Sequence, residues 1–301
     1  MYLKELERIK CPNQYLSFDI TKINPLDWLK SKNENNYSKI AFEVDGYIID
    51  KFKKTNGNFT RIEVLSKEKE IFNSPDLFEE IKSIYKNKIF LNNLFAELLE
   101  INHWVLVTLN NYPFQYSHEV KGIMLLEYKN FDHELKLTSK KFLNVKELED
   151  LIRTLRKMSF NKVKNLKSAP SYLSCYLNNN TNNPFPGDCD CVIINPSSKE
   201  ILSLVEFKTH NIDSPIQNEY IGKYGKQDWR RFNVLYSLQK NIESKQGFRP
   251  KLFYVAWGTK EIENHKFIKI DQIDNNKIIN TEFFNKPVYG EFNKDLLEKL
   301  S

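Results

Sequence analysis

Between Pro186 and Thr209 the chain reads PGDCDCVIINPSSKEILSLVEFKT. Asp188 and Asp190 open one apolar run, and Glu206-Phe207-Lys208 closes the next, with Pro196-Ser197-Ser198 between them. Strand side chains alternate faces, so Glu206 and Lys208 project together while Val205 and Phe207 point the other way. Paired as a hairpin, the two runs bring Asp188 or Asp190 to Glu206 on that shared face. Two carboxylates and a lysine at a strand end suit a hard divalent cation and an activated water. That is the chemistry of phosphodiester hydrolysis.

An acid, a hairpin and then Glu-x-Lys at the end of an apolar strand resembles the PD-(D/E)xK nuclease superfamily, over roughly residues 145–260. The resemblance implies an α/β fold with a restriction-endonuclease-like mixed β-sheet core flanked by helices. It implies Mg²⁺ held by Asp190 and Glu206, with Lys208 positioning or polarising the attacking water. Gly187-x-x-Asp190 is similar to the spacing of RecB-like members and favours Asp190. The chain has Pro186-Gly187-Asp188 where the family has Pro-Asp, so Asp188 stays open as the first ligand. Double-stranded DNA is the implied substrate. A homodimeric type II restriction enzyme is the leading form; a structure- or end-selective nuclease and a non-catalytic nucleic-acid-binding protein are the alternatives.

Glu-x-Lys alone carries little, because it recurs at Glu80, Glu119, Glu127, Glu134 and Glu243. Glu127-Tyr128-Lys129 also ends a strand-like run, but no acid-bearing strand precedes it and no amphipathic helix follows. Asp45 and Glu63 imitate an acid pair across an earlier hairpin; without a lysine after Glu63 they read as structural.

The elements that must position these residues follow from pattern. Residues 39–51 and 59–65 read as strands joined across Asn56-Gly57, a hairpin-turn dipeptide. Ser74-Pro75 opens a helix running to about Glu100, with a break near Asn87. Strand-like runs follow at 103–109, 122–128 and 134–137. Asn144-x-x-Glu147 resembles a capping box ahead of a helical stripe, Val145, Leu148, Leu151, Ile152 and Leu155. In some family members this helix lends another acid to the metal, for which Glu147 or Glu149 would serve. Residues 178–186 read as a surface loop. After Lys208 a helix carries Lys223, Lys226, Gln227, Arg230 and Arg231 near its start, a cluster suited to phosphate contacts. Residues 251–257 complete a β-β-α-β order, and the tail adds strand-like pieces and a short helix at 294–300.

Composition bounds the rest. The chain has 301 residues, 41% hydrophobic and 13% aromatic, enough for two modest folded domains or one large one. The expected division is an α+β region at 1–140, serving recognition or dimerisation, and a nuclease core at 141–301. A net charge of +6, from 45 basic and 39 acidic residues, permits a nucleic-acid partner without demanding one. Cys11, Cys175, Cys189 and Cys191 show no zinc spacing and no disulfide framework. Cys189 and Cys191 alternate with the acids and are expected on the opposite face as small apolar residues. His210, two residues past Lys208, could approach the site; His103, His118, His133 and His265 lack ligand spacing. The N-terminus has no signal-peptide core, and no apolar run approaches the ~20 residues that span a bilayer. A cytoplasmic protein without a membrane partner is expected. Nine glycines leave no phosphate-binding loop, which argues against a nucleotide-driven motor.

Overall fold

The structure, a computed structural model, describes residues 3–4, 9–12, 14, 23–31, 38–64, 69–109, 121–131, 134–160, 165–223 and 226–301. By contacts the chain forms two compact units, 1–22 with 45–186 and 23–44 with 187–301, each mixed α/β. The division thus falls at residue 186 and not at 140, and the second unit takes in an N-terminal segment.

The first unit holds β1 (Leu3–Lys4), β2 (Ile9–Lys10), the end of β3 (Ile40–Ile49), β4 (Thr55–Val64), α1 (Pro75–Leu99), β5 (His103–Leu109), β6 (Ile123–Phe131), β7 (Glu134–Leu143), α2 (Val145–Arg156), β8 (Ser168–Ala169) and α3 (Tyr172–Asn180). Strands β3 and β4 pair antiparallel; β5 runs parallel to β4 after the α1 crossover, and β6 and β7 follow antiparallel. The hairpin turn is not at Asn56-Gly57. Asp50 makes it, accepting from the Phe52 and Lys54 amides, while Lys53 adopts φ 67°. Gly57 instead lies in β4, where a Cβ would stand 2.8 Å from the Trp104 ring. Its lack of a side chain serves packing.

Helix α1 runs unbroken through Asn87 and buries Leu77, Ile81 and Ile89 against Ile62, Val105 and Met124. Two buried asparagines, Asn92 and Asn93, interrupt its apolar stripe and are taken up by Asn58 and His103. Helix α2 opens with the expected capping box between Asn144 and Glu147. It packs Val145, Leu148 and Ile152 with Leu106, Ile123 and Leu125, so it belongs to the first unit and not to the hairpin's core. Helix α3 replaces the start of the expected loop, capped by Ser171 Oγ on the Ser174 amide. It carries Cys175, which forms a disulfide with Cys11 across 164 residues of sequence, Cα to Cα 5.5 Å. Spacing along the chain could not show this pair, which only the fold brings together.

The second unit contains β9 (Gly187–Asn195), β10 (Glu200–His210), α4 (Lys226–Gln246), β11 (Lys251–Gly258), β12 (Phe267–Asp274), β13 (Lys277–Asn285) and α5 (Lys294–Lys299). Its strand order is β13-β12-β11-β10-β9, with β10 and β11 parallel and the other neighbours antiparallel. The β-β-α-β order is as expected. A bulge between Ile201 and Ser203 shifts the β9–β10 register by one. Beyond it Val205 stands opposite Cys191, and both enter an apolar layer with Ile193, Val255, Trp257, Ile268 and Trp28, closed by Leu296, Leu297 and Leu300 at α5. Cys189 and Cys191 are fully buried, and burial pushes both thiols far up, so they are neutral packing residues.

Gly258 ends β11 against His265, whose Nε2–H donates to the Ile212 carbonyl in the loop after β10. A Cβ there would meet the imidazole Cγ at 2.2 Å. Gly258→Ala is expected to cost about 1–3 kcal/mol through this overpacking, read as a lower thermal midpoint.

Candidate active site

The β9–β10 ladder stops at Cys191 opposite Val205. One residue further, Asp190 Oδ2 accepts the Phe207 amide at 2.9 Å, so a carboxylate takes over where the strands part. On its other side β10 pairs with β11, setting Glu206 beside Tyr254 and Lys208 beside Ala256. Arg231 reaches in from α4. Its Nε lies 2.5 Å from Glu206 Oε1, and its Nη2 lies 3.1 Å from Asp190 Oδ1 and 3.3 Å from Asp188 Oδ1. Asp188, Asp190 and Glu206 therefore share one guanidinium, and both candidate first ligands are at the site. Lys208 stands half-buried on the Glu206 face.

Glu206 is 4% exposed, and its Oε2 has no hydrogen-bond partner. Burial pushes its carboxyl well above the usual range; Arg231 pulls it back, while Asp190 and Asp188 push it further up. A divalent cation answers both features, by giving the orphaned oxygen a partner and by supplying the missing positive charge. Among the described residues no three His, Cys, Asp or Glu side chains converge on one point as a ligand set. Two carboxylates plus waters satisfy Mg²⁺, which keeps several of its waters, so the residues fit the ion.

A raised carboxyl also has a consequence without metal. Folded Glu206 holds its proton to higher pH than unfolded Glu206, so this stabilisation is complete below the ordinary carboxylate range and is lost as pH rises through the raised value. Metal-free Glu206→Gln is expected to be more stable than the parent near neutral pH, because the neutral amide avoids the cost of the buried charge. Its advantage should shrink towards pH 4, as followed by thermal denaturation in EDTA.

Several residues that sequence reasoning passed over share this face. Tyr254 lies beside Glu206, and the register continues to the buried Asp271, which accepts from Thr281 at 2.6 Å and pairs with Lys269. Glu219, fully buried, accepts from His210 Nδ1 at 2.8 Å and from Lys223 at 3.0 Å. His210 is thus a satisfied buried histidine, and Lys223 serves Glu219. Lys269 and Asp271, alternating with Ile268 and Ile270, are buried, and Lys269 donates to the Glu219 carbonyl at 2.8 Å. Glu147 closes its capping box and Glu149 accepts from Asn183, both within the first unit. Asp45 is held by the Arg61 amide and Lys88, and Glu127 by the Trp104 indole, which keeps both structural. The side chains of Lys226, Gln227 and Arg230 lie outside the described residues, as do His118 and His133.

No family model matches this chain, and no curated protein matches it significantly. A solved structure titled "Crystal structure of Sex pheromone staph-cAM373 precursor" aligns over 93% of this chain and 85% of its own, at 9% identity and a TM-score of 0.22. So low a score carries no argument. No described helix is long and apolar enough to cross a membrane.

Proposed function

We propose that the protein is a Mg²⁺-dependent endonuclease of the PD-(D/E)xK, restriction-endonuclease-like kind, hydrolysing phosphodiester bonds of double-stranded DNA. The observation that supports this reading is Asp190 beside Glu206 where the hairpin strands part, with a buried, unpartnered Glu206 oxygen and Lys208 next on the same face. Asp190 and Glu206 would hold the ion, with Asp188 at the rim. Bound Mg²⁺ supplies Lewis acidity towards the scissile phosphate and a more acidic water. Lys208 orients that water through its ammonium and offsets the negative charge that grows on the phosphate oxygens. Arg231, which contacts Asp188, Asp190 and Glu206, would turn its guanidinium to a phosphate of the substrate, a bidentate contact. Site-specific cutting by a homodimer, as in type II restriction enzymes, is the form we favour, since two strands need two centres.

The test is purified protein with unmethylated plasmid and phage DNA, in Mg²⁺ or EDTA. Discrete Mg²⁺-dependent fragments support a restriction enzyme, and a ladder or complete digestion moves the reading to a structure- or end-selective nuclease. Inertness on these and on branched and single-stranded substrates would sink the enzymatic reading.

A further inference from the structure

The two units repeat one arrangement of elements. In the first, the β3–β4 hairpin leads through α1 to β5 parallel with β4, and β6 and β7 follow antiparallel. In the second, the β9–β10 hairpin leads through α4 to β11 parallel with β10, and β12 and β13 follow antiparallel. The bonds at the hairpin mouth repeat as well. Asp45 Oδ2 accepts the Arg61 amide at 2.8 Å, as Asp190 Oδ2 accepts the Phe207 amide at 2.9 Å. The crossover helix supplies a cation to that acid in each unit. Lys88 Nζ stands 2.9 Å from Asp45, and Arg231 Nη2 stands 3.1 Å from Asp190.

Aligned on these two bonds, Glu206 answers to Thr60 and Lys208 to Ile62. The strand registers carry the equivalence across each sheet. Glu206, Tyr254 and Asp271 answer to Thr60, Val105 and Leu126; Lys208, Ala256 and Lys269 answer to Ile62, Val107 and Met124. The face that is ionisable in the second unit is apolar in the first, where Ile62, Val105, Val107, Met124 and Leu126 form a core with α1 residues. Asp45 remains, but no carboxylate stands at the Glu206 position to share a cation with it. A chance likeness of two β-β-α-β-β-β orders would not repeat a side-chain-to-backbone bond and a helix cation at the same places.

We propose that the first unit is a silent copy of the second, an internal duplication in which packing has replaced chemistry, so that each chain carries a single hydrolytic centre. The hydrolytic part of this statement rests on the function proposed above; the duplication does not.

Two measurements on the full-length chain keep these parts separate. Transplanting the first unit's pair into the second, Glu206→Thr with Lys208→Ile, tests the copy without metal. Equivalent positions already accept these residues, so the variant should fold with a thermal midpoint in EDTA at or above that of the parent. A midpoint lower by more than about 5 °C, some 1–3 kcal/mol, overturns the copy. Mn²⁺ titration of the parent, Asp45→Asn, Lys88→Met and Glu206→Gln tests the single centre. Binding should be unchanged in the first two variants and lost in the third. Lys88→Met leaves the Asp45 bond to the Arg61 amide in place and gives the reading should Asp45→Asn not fold. Loss of Mn²⁺ binding in either first-unit variant with a native circular-dichroism spectrum overturns the single centre, and so does retention in Glu206→Gln. A parent chain that binds no Mn²⁺ and cuts nothing removes the hydrolytic centre together with the nuclease reading, while the transplant still decides the copy.

Discussion

Glu206→Gln is expected to lower Mg²⁺-dependent cleavage by at least about 10³-fold, and Lys208→Ala by about 10²–10³-fold. Glutamine keeps the volume at a site that is 4% exposed but removes the charge that would hold the ion. Its loss therefore falls on metal occupancy and on the barrier together. Lys208 is half-buried on the same face, so its removal takes away a local positive charge without opening the core. The control is built into the chain. Glu127→Gln and Lys129→Ala alter the same tripeptide pattern in β6, where the Glu127 carboxylate accepts from the Trp104 indole at 2.7 Å. Those variants should cut like the parent. The comparison is initial rates on plasmid at saturating Mg²⁺, with circular dichroism to show that each chain is folded. Equal rates in Glu206→Gln and the parent would place the chemistry elsewhere.

The second large effect concerns Cys11 and Cys175. A cross-link that closes 164 residues restricts the unfolded chain strongly, and loops of this size contribute about 4–5 kcal/mol on chain-entropy arithmetic. Cys11→Ser, or reduction with a thiol, is expected to lower the midpoint of the first unit by roughly 10 °C. The second unit, whose Cys189 and Cys191 are buried thiols, should melt unchanged. Calorimetry with and without reductant reads the two transitions, and a shift confined to the second unit would contradict the assignment. In a reducing compartment the pair stands as thiols, and the N-terminal segment is then held by the β2–β8 pairing, the Cys11 amide bond to the Lys167 carbonyl and apolar packing.

Much of the site was legible because it depends on period-two alternation. Glu206 and Lys208 share a face while Val205 and Phe207 share the other, and a single tripeptide fixes that parity within β10. The capping box of α2 and the run of β5 were equally local. What escaped were features that tertiary structure decides. Asn56-Gly57 has turn chemistry, but Asp50 organises the turn over residues 50–54 and the ring of Trp104 claims the glycine. The burial of Asn92 and Asn93 has no sign in the local pattern, because it depends on Asn58 and His103 standing opposite them. Glu219 has no signal of its own in a loop of ordinary polarity. The duplication was hidden because its defining positions have diverged: Thr60 and Ile62 share nothing with Glu206 and Lys208 except place. On pattern alone Asp45 pairs with Glu63; the register puts it level with Thr60, next to its Arg61 bond partner.

The bulge between Ile201 and Ser203 acts as a frame setter for everything downstream of it. It inserts one residue into β10, and all later side chains inherit their face from that single extra step. Were Leu202 to take the place opposite Ile193 with no bulge, every later residue would move on by one, turning Glu206 and Lys208 towards the layer of Trp28 and Trp257 and Val205 and Phe207 towards the Asp190 side. No intermediate setting exists, because a strand has only two sides. The polar face and the apolar core of the second unit are thus a single binary choice, and a chain that closes this hairpin out of step loses both at once.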